Sequence, residues 1–90
     1  MNWKNTLRKE IVNYTSYEEL IEGIETRLSN NKYAPMLITA LNEIKDSGEE
    51  FKMKDTYFKA LSKIKNRMMQ GYGQAEEKRE IGRALGLSGF

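Results

Sequence analysis

The chain of 90 residues contains no cysteine, no histidine and a single proline. Without cysteine it can form no disulfide, no thiolate nucleophile and no cysteine-bound metal site. Without histidine it lacks the commonest metal ligand and the commonest general base at neutral pH. The sequence also contains no nucleophile–base motif and no glycine loop of the kind that holds phosphate. We therefore expect a protein that is not an enzyme and that has no catalytic residues, no metal and no cofactor.

Long hydrophobic runs are also missing. The longest one covers only a few residues near Ala34 to Ile38, which is far too short for a transmembrane helix. The N-terminal residues show no apolar signal-peptide segment, so we expect a cytoplasmic protein with no membrane contact. With 39% hydrophobic and 31% charged residues, the composition is that of one small globular domain.

Apolar residues recur at helical spacing along nearly the whole chain. Tyr17, Leu20 and Ile24, for example, follow the spacing of three and four residues that marks one helix face. The pattern predicts helices near residues 3–12, 17–28, 35–47, 55–70 and 74–85. We therefore predict an all-α fold, a small bundle of four to five short helices around one core. Residues 1–70 would form the bundle core, and residues 71–90 a hinge plus a short C-terminal helix, in the same domain or as a loosely docked tail.

Several residues mark where these helices begin and end. Ser16 followed by Glu19 forms a capping box, in which each side chain satisfies a backbone N–H at the helix start. Asp55 is the candidate cap of the fourth helix. Gly48 and Gly86 are candidate left-handed stops for the third and fifth helices.

Three other features of the pattern lead to predictions. Gly23 lies in the middle of the second helix, where it costs roughly 1 kcal/mol relative to alanine, and we expect another helix to approach it closely. Phe51 and Met53 alternate with charged residues, which leaves a short strand open as an alternative to a loop. The spacing in the fourth helix predicts an inward-facing set: Tyr57, Phe58, Leu61, Ile64 and Met68.

Charge is distributed unevenly along the chain. Residues 51–70 contain six lysines and arginines and only one aspartate, a local balance of +5 in a chain whose net charge is +2. On a helix, Lys59, Lys63 and Arg67 fall within about 80° of one another, opposite the apolar face. We call these three residues the basic row. Gln70 extends it, and Tyr72, between two glycines, is placed for contact, so we predict all five as binding residues.

A complementary acidic feature lies on the second helix. Glu18, Glu22 and Glu25 share one helix face, and we call them the acidic stripe. The stripe could meet the basic row within one molecule or between two copies. Each of the two could also be an ordinary solvated face. Carboxylates at this spacing could instead hold Mg²⁺, which is the one enzymatic alternative that we consider.

Two functions are compatible with these faces. The first is a small regulatory or interaction protein, without catalysis, whose charged helix face binds a protein partner or a second copy of the chain as a homo-oligomer. The alternative is a nucleic-acid-binding accessory protein that places the basic face of the fourth helix on phosphates. A pI near 8.9 and a single arginine in the basic row favour the protein partner. The short length and the many lysines and asparagines fit a phage-encoded or similarly fast-evolving accessory protein.

The run from Arg79 to Phe90 resembles the first helix and turn of helix-turn-helix DNA-binding proteins, where a helix ends in Leu-Gly-Leu-Ser. The resemblance implies core contacts for the helix, a glycine turn and a cap for a recognition helix. The residues in these roles would be Ile81, Ala84 and Leu85, then Gly86, then Ser88. No recognition helix follows within the chain, and an ordinary helix with a glycine C-cap accounts for the same residues. We favour this second interpretation.

Overall fold

Five α-helices make up most of the structure, a computed structural model that describes residues 3–71 and 75–87, with side chains from residue 5 onward. The helices are α1 (Trp3–Ile11), α2 (Tyr17–Arg27), α3 (Ala34–Asp46), α4 (Met53–Met69) and α5 (Ala75–Leu85). No strand occurs in these two ranges. The predicted all-α bundle is therefore confirmed. The strand alternative for residues 51–53 is wrong, because α4 begins within that segment.

All five helices contribute apolar side chains to one core. α3 packs on α2 and most extensively on α4, while α1 packs on α2 and α4. The largest fully buried apolar side chains are Leu7, Ile11, Leu20, Ile24, Leu37, Leu41, Ile44, Ile64, Met68, Ile81 and Leu85. The radius of gyration is 12.7 Å, close to the value of about 12 Å expected for a compact domain of this length. Burial of each of these large side chains stabilises the folded state by roughly 1.5–3 kcal/mol through the hydrophobic effect.

Several helices begin and end at the residues that the local sequence signals predict. At the start of α2, the Ser16 hydroxyl accepts a hydrogen bond from the Glu19 N–H (3.2 Å). The Glu19 carboxylate accepts in return from the N–H of Thr15 (2.8 Å), one residue before the position that a capping box normally uses. Gly48 and Gly86 follow α3 and α5 with positive φ angles of 77° and 71°, which glycine adopts without a steric penalty.

α4 begins two residues earlier than the sequence predicts. The expected cap, Asp55, lies in the first turn, and Lys52 occupies the N-cap position without a side-chain cap. Thr56 accounts for the difference, because it is fully buried and both its N–H and its hydroxyl donate to the Lys52 carbonyl (2.9 and 3.1 Å). The carboxylate of Asp55 still favours the helix, since the N-terminal end of a helix carries partial positive charge.

The predicted inward orientation of Phe58 is wrong. The other four members of the predicted set are buried, but Phe58 is 37% exposed. Its ring packs edge-to-face on Tyr57, with ring centroids 5.6 Å apart. The guanidinium of Arg8 lies 5.9 Å from the Phe58 centroid. Phe58 therefore lies at the rim of the core, where α4 borders α1.

The close contact at Gly23 is made by a side chain and not by a helix backbone. The nearest neighbours of a side chain at this position would be the hydroxyl oxygen and two ring carbons of Tyr14, from the connection between α1 and α2. A Cβ atom on Gly23 would lie 2.8 Å from Cε2 of Tyr14, well inside the optimal separation of about 3.5–4.0 Å between carbon atoms. A side chain at this position would therefore have to displace the ring of Tyr14.

The C-terminal helix packs on its own chain. Ile81 and Leu85 are fully buried, and Asn31 Nδ2 donates a hydrogen bond to the carbonyl of Ala84 (2.7 Å). The same Asn31 side chain accepts from the N–H of Tyr33 (2.9 Å). The loop before α3 therefore ties α5 to the bundle, and α5 shares its core.

Two predicted positions lie outside the described residues. They are Tyr72, of the predicted binding site, and Ser88, of the helix-turn-helix resemblance. The predicted hinge at residues 71–73 is described only at Gly71, which has a positive φ angle of 97°. These predictions therefore stay predictions.

No helix in the described ranges combines the length and the apolar character that crossing a membrane requires. The longest one, α4, has 17 residues and contains lysines throughout its length. A spanning helix needs about 20 mostly apolar residues.

Candidate binding surface

The basic row lies on the side of α4 that borders α3. Glu43 of α3 accepts a hydrogen bond from Arg67, and its carboxylate lies 4.0 Å from Nζ of Lys63. The Lys63 and Arg67 side chains are still 44% and 48% exposed. One carboxylate therefore holds two cations in place at the surface and neutralises only half of their charge.

Lys59, the third member of the row, is held in a different way. Its Nζ lies 4.4 Å from the centroid of the Phe51 ring, a cation–π distance worth about 0.5–1 kcal/mol at an exposed site. Phe51 itself packs against the core. The row is thus anchored to the connection between α3 and α4 at one end and to α3 along the rest.

Gln70 extends the row at the C-terminal end of α4. Its side chain is exposed, and its backbone N–H donates to the carbonyls of Asn66 and Arg67 (3.1 and 3.3 Å). From Lys59 to Gln70 the row runs about 16 Å along the helix. The structure therefore brings together four of the five predicted binding residues on one face.

The acidic stripe lies on the side of α2 that borders α3. Glu18 forms an ion pair with Lys45 of α3 (3.7 Å). The pKa of Glu18 is lowered, first by its own backbone N–H at the start of α2 and then by the charge of Lys45. Glu22 and Glu25 are exposed, and neither has an ion-pair partner among the described residues.

Among the described residues, the acidic stripe and the basic row form no ion pair with each other, so the alternative of pairing within one molecule is not observed. α3 lies between them, with Lys45 on the side of α2 and Glu43 on the side of α4. Within the described residues, the acidic partner of the row is therefore Glu43. Nothing in the sequence pattern marks this residue, because it belongs to neither charged segment.

In the described part of the chain, the carboxylates of the stripe are not gathered into a cluster that could hold a metal ion. No three acidic side chains in the described ranges are grouped closely enough to hold an ion. The magnesium alternative that the spacing of the stripe suggested therefore has no support.

A groove of about 450 Å³ lies beside the basic row, between the end of α1 and the start of α4. Its apolar walls include Val12, Phe51 and Met53, and Val12 is 65% exposed. Lys52 and Lys54 also line the groove, and the described residues that line it include no carboxylate. We call it the Val12 groove. Sequence reasoning missed it because its walls come from two connections that have no helical periodicity.

A second charged group joins α1 to α2. Arg27 forms a hydrogen-bonded ion pair with Glu10, and the Tyr14 hydroxyl donates to the same carboxylate (2.9 Å). We call these three residues the tyrosine cluster. The hydrogen bond from Arg27, followed by that from Tyr14, lowers the pKa of Glu10. Burial, followed by the hydrogen bond to Glu10, raises the pKa of Tyr14.

Another groove, of about 430 Å³, separates the loop before α3 from α5. Lys32 crosses it to reach Glu80 (2.8 Å). Their hydrogen bond lowers the pKa of Glu80 and raises that of Lys32. Together with the hydrogen bond from Asn31 to Ala84, this ion pair connects the loop before α3 to α5.

α5 ends in the way that a glycine C-cap predicts. Ile81 and Leu85 are buried and Ala84 is half-buried. The N–H of Leu87 donates to the carbonyl of Gly82 (2.8 Å), which is the long bond of a Schellman motif. An ordinary helix end therefore explains every described feature of the segment that resembles a helix-turn-helix.

Comparison with known proteins assigns this chain to no family. No protein-family model, no curated protein and no solved structure matches it. We therefore infer the function from three surface features: the basic row, the acidic stripe and the Val12 groove.

Proposed function

We propose that this chain is a small interaction protein without catalytic activity, which binds an acidic surface of another protein, or a second copy of itself, through the basic row. The observation that carries the proposal is the arrangement around Glu43. There, Lys63 and Arg67 share one carboxylate and remain about half exposed. Side chains already held in position lose less conformational entropy on binding. The row is therefore prepared for an acidic partner, with Gln70 and Tyr72 as its neighbours.

The composition of the row favours a protein over a nucleic acid. The row contains one arginine, and the pI of the chain is near 8.9, whereas nucleic-acid-binding domains usually have a pI above about 9. Protein interfaces are enriched in aromatic residues, methionine and arginine. Phe51 lies under Lys59, and Met53 lines the same groove as Phe51, so both supply such residues.

The acidic stripe supports a second copy of the chain as the partner of the basic row. The stripe and the row flank α3 on opposite sides. If a two-fold axis runs parallel to α3, the stripe of each molecule faces the row of the other, so the contact is made twice. Charge complementarity of this kind steers association and sets its register.

The alternative function is nucleic-acid binding by the basic face of α4. It is supported by the +5 balance of residues 51–70, since the side chains of Lys52, Lys54, Lys59 and Lys63 are all exposed. Lysines that contact phosphates release bound counterions, so binding of this kind falls steeply as salt rises.

The proposal is tested by titration of the wild-type chain and of a variant with Lys59→Glu, Lys63→Glu and Arg67→Glu. The probes are polyglutamate, which represents an acidic protein surface, and single-stranded and duplex DNA and RNA, each at about 50 and about 200 mM salt. We expect the wild type to bind polyglutamate at the lower salt and the variant to lose this binding. A control with three reversals at other exposed positions should keep it: Lys9→Glu, Arg79→Glu and Arg83→Glu.

Each outcome separates the functions. An absence of polyglutamate binding at the lower salt, or an equal loss in the control, would contradict the proposal. Tighter binding of nucleic acid, with a steep loss at the higher salt, would establish the alternative. Sedimentation velocity over a range of concentrations tests the second copy, and a monomer at every concentration would remove it.

A further inference from the structure

The Val12 groove reaches from the solvent to the core. Val12 forms one wall and is exposed, Phe51 and Met53 form another and are half-buried, and Ile11 belongs to the core. Single exposed apolar residues are common on protein surfaces. Val12, however, lines the groove together with Phe51 and Met53, so an apolar side chain that enters the groove would contact all three.

The charged side chains that line the groove all have the same sign. Glu49 and Glu50 precede this segment along the chain but do not line the groove. Its charged lining residues are lysines, and a third lysine lies over the aromatic wall. They are Lys52 and Lys54 in the lining and Lys59 over Phe51.

The start of α4 adds positive potential at the same place. Lys52, at the N-cap, makes no side-chain hydrogen bond to the first N–H groups of the helix. The N-terminal end of an α-helix carries roughly half a unit of positive charge. This helix end alone would not define a binding site, but its partial charge has the same sign as the lysines that surround the apolar walls.

We propose that the Val12 groove binds a short acidic segment of a partner protein, which places one apolar side chain between Val12 and Phe51. The carboxylates of the segment then lie on Lys52 and Lys54. This inference rests on the proposed function and adds the chemistry of the partner and the place of contact. The groove and the basic row are continuous, because Lys59 belongs to the row and contacts Phe51. A partner seated in the groove therefore extends along α4 with further acidic residues over the row.

The test uses the full chain labelled with ¹⁵N and two short synthetic peptides. The first has a leucine–phenylalanine pair between runs of glutamate and aspartate, and the second has glycine and serine in place of the pair. We expect the first peptide to shift the amide signals of Val12, Thr15, Phe51, Met53 and Lys54. The second should bind at least about tenfold more weakly, because it buries no apolar side chain.

Two substitutions of exposed apolar residues form a matched pair. Val12→Asp removes a wall of the groove and places a like charge against the peptide, so the affinity should fall by about tenfold or more. Met69→Asp changes a residue of similar exposure, 69%, at the other end of α4 and should leave the affinity unchanged. A dispersed amide spectrum checks that each variant is folded. The double variant Lys52→Gln and Lys54→Gln should bind more weakly and with less dependence on salt.

Several results would overturn the inference. Equal affinity for the two peptides is one, and unchanged affinity in Val12→Asp is another. Shifts confined to Lys63 and Arg67 would also overturn it while leaving the proposed function in place, whereas no binding of either peptide would contradict both. Shifts at the groove that grow with protein concentration alone, and are lost in Val12→Asp, would show that a second copy occupies it.

Discussion

The tyrosine cluster and the basic row each place an arginine beside a glutamate of a neighbouring helix, but they use these charges differently. The side chains of Arg27 and Glu10 are 34% and 32% exposed, and the Tyr14 hydroxyl also donates a hydrogen bond to the Glu10 carboxylate. Arg67 shares Glu43 with a second cation, Lys63, at a more exposed position. The cluster has one cation for one carboxylate, whereas two cations of the row share one carboxylate.

This difference indicates which charges hold the fold and which remain available to a partner. In the cluster, every charge has a partner within the molecule, and the group covers Gly23 at the contact between α1 and α2. In the row, positive charge remains in excess after the internal pairing. We therefore expect substitutions in the cluster to change stability and substitutions in the row to change binding.

The largest effect on stability should come from Tyr14→Ala. The substitution removes the ring that covers Gly23 together with the hydrogen bond to Glu10, so the free energy of unfolding should fall by about 2 kcal/mol. Tyr14→Phe keeps the ring and should cost about 1 kcal/mol or less. Urea denaturation followed by circular dichroism measures both. Equal effects of the two substitutions would show that the ring itself contributes nothing.

The effect of Gly23→Ala on the free energy of unfolding should change sign with the residue at position 14. With Tyr14 present, the new Cβ forces the ring away, and we expect a net loss of about 1 kcal/mol, because the gain in helix propensity is smaller than the lost contact. In the Tyr14→Ala background the three atoms nearest to the new Cβ are absent, and the same change should stabilise the protein by about 1 kcal/mol. A double-mutant cycle by urea denaturation measures the coupling. The same sign in both backgrounds would contradict the role of the ring.

The tyrosine cluster should also affect how the stability of the fold changes at acidic pH. The pKa of Glu10 is lower in the folded state than its ordinary value of 4.5. Its ionised form therefore stabilises the fold above that value, and this contribution is lost as pH falls through the folded-state pKa. Glu10→Gln should lower the melting temperature at neutral pH and flatten its decrease below about pH 4.5. Thermal melts across the acidic range measure this, with Glu80→Gln as an exposed control that should flatten the curve less.

The smallest effect on stability should come from the basic row. Lys63→Gln combined with Arg67→Gln should change the free energy of unfolding by no more than about 0.5 kcal/mol, because exposed ion pairs contribute little. The same variant should bind polyglutamate more weakly. Urea denaturation and titration of one sample measure both quantities. A loss of stability as large as that of Tyr14→Ala would remove the distinction between the two regions.

Features that act over a few residues could be predicted from the sequence. The cap at Ser16 and the glycine stops at Gly48 and Gly86 depend on hydrogen bonds and φ angles within one or two helix turns. The inward faces of the helices follow from their spacing, because burial repeats with the helix period. These local signals were enough for the fold class and for the position of the basic row.

Features that depend on distant contacts could not be predicted. α4 begins where it does because Thr56 is buried by the rest of the fold, and Phe58 faces the rim because α1 ends the core there. Glu43 is 24 residues from Arg67 in sequence, and no periodicity connects them. The Val12 groove likewise depends on how two irregular connections meet.

The position of Glu43 has a consequence for selectivity. As a tethered carboxylate already seated on Lys63 and Arg67, it competes with every anion that approaches the row. A single acidic side chain gains little by displacing it, so a ligand must offer several acidic groups at once to bind. Glu43→Gln removes this competitor and should tighten the binding of polyglutamate and nucleic acid alike in the same titrations. Loss of one acidic residue would thus turn a surface that discriminates among anions into one that accepts any of them.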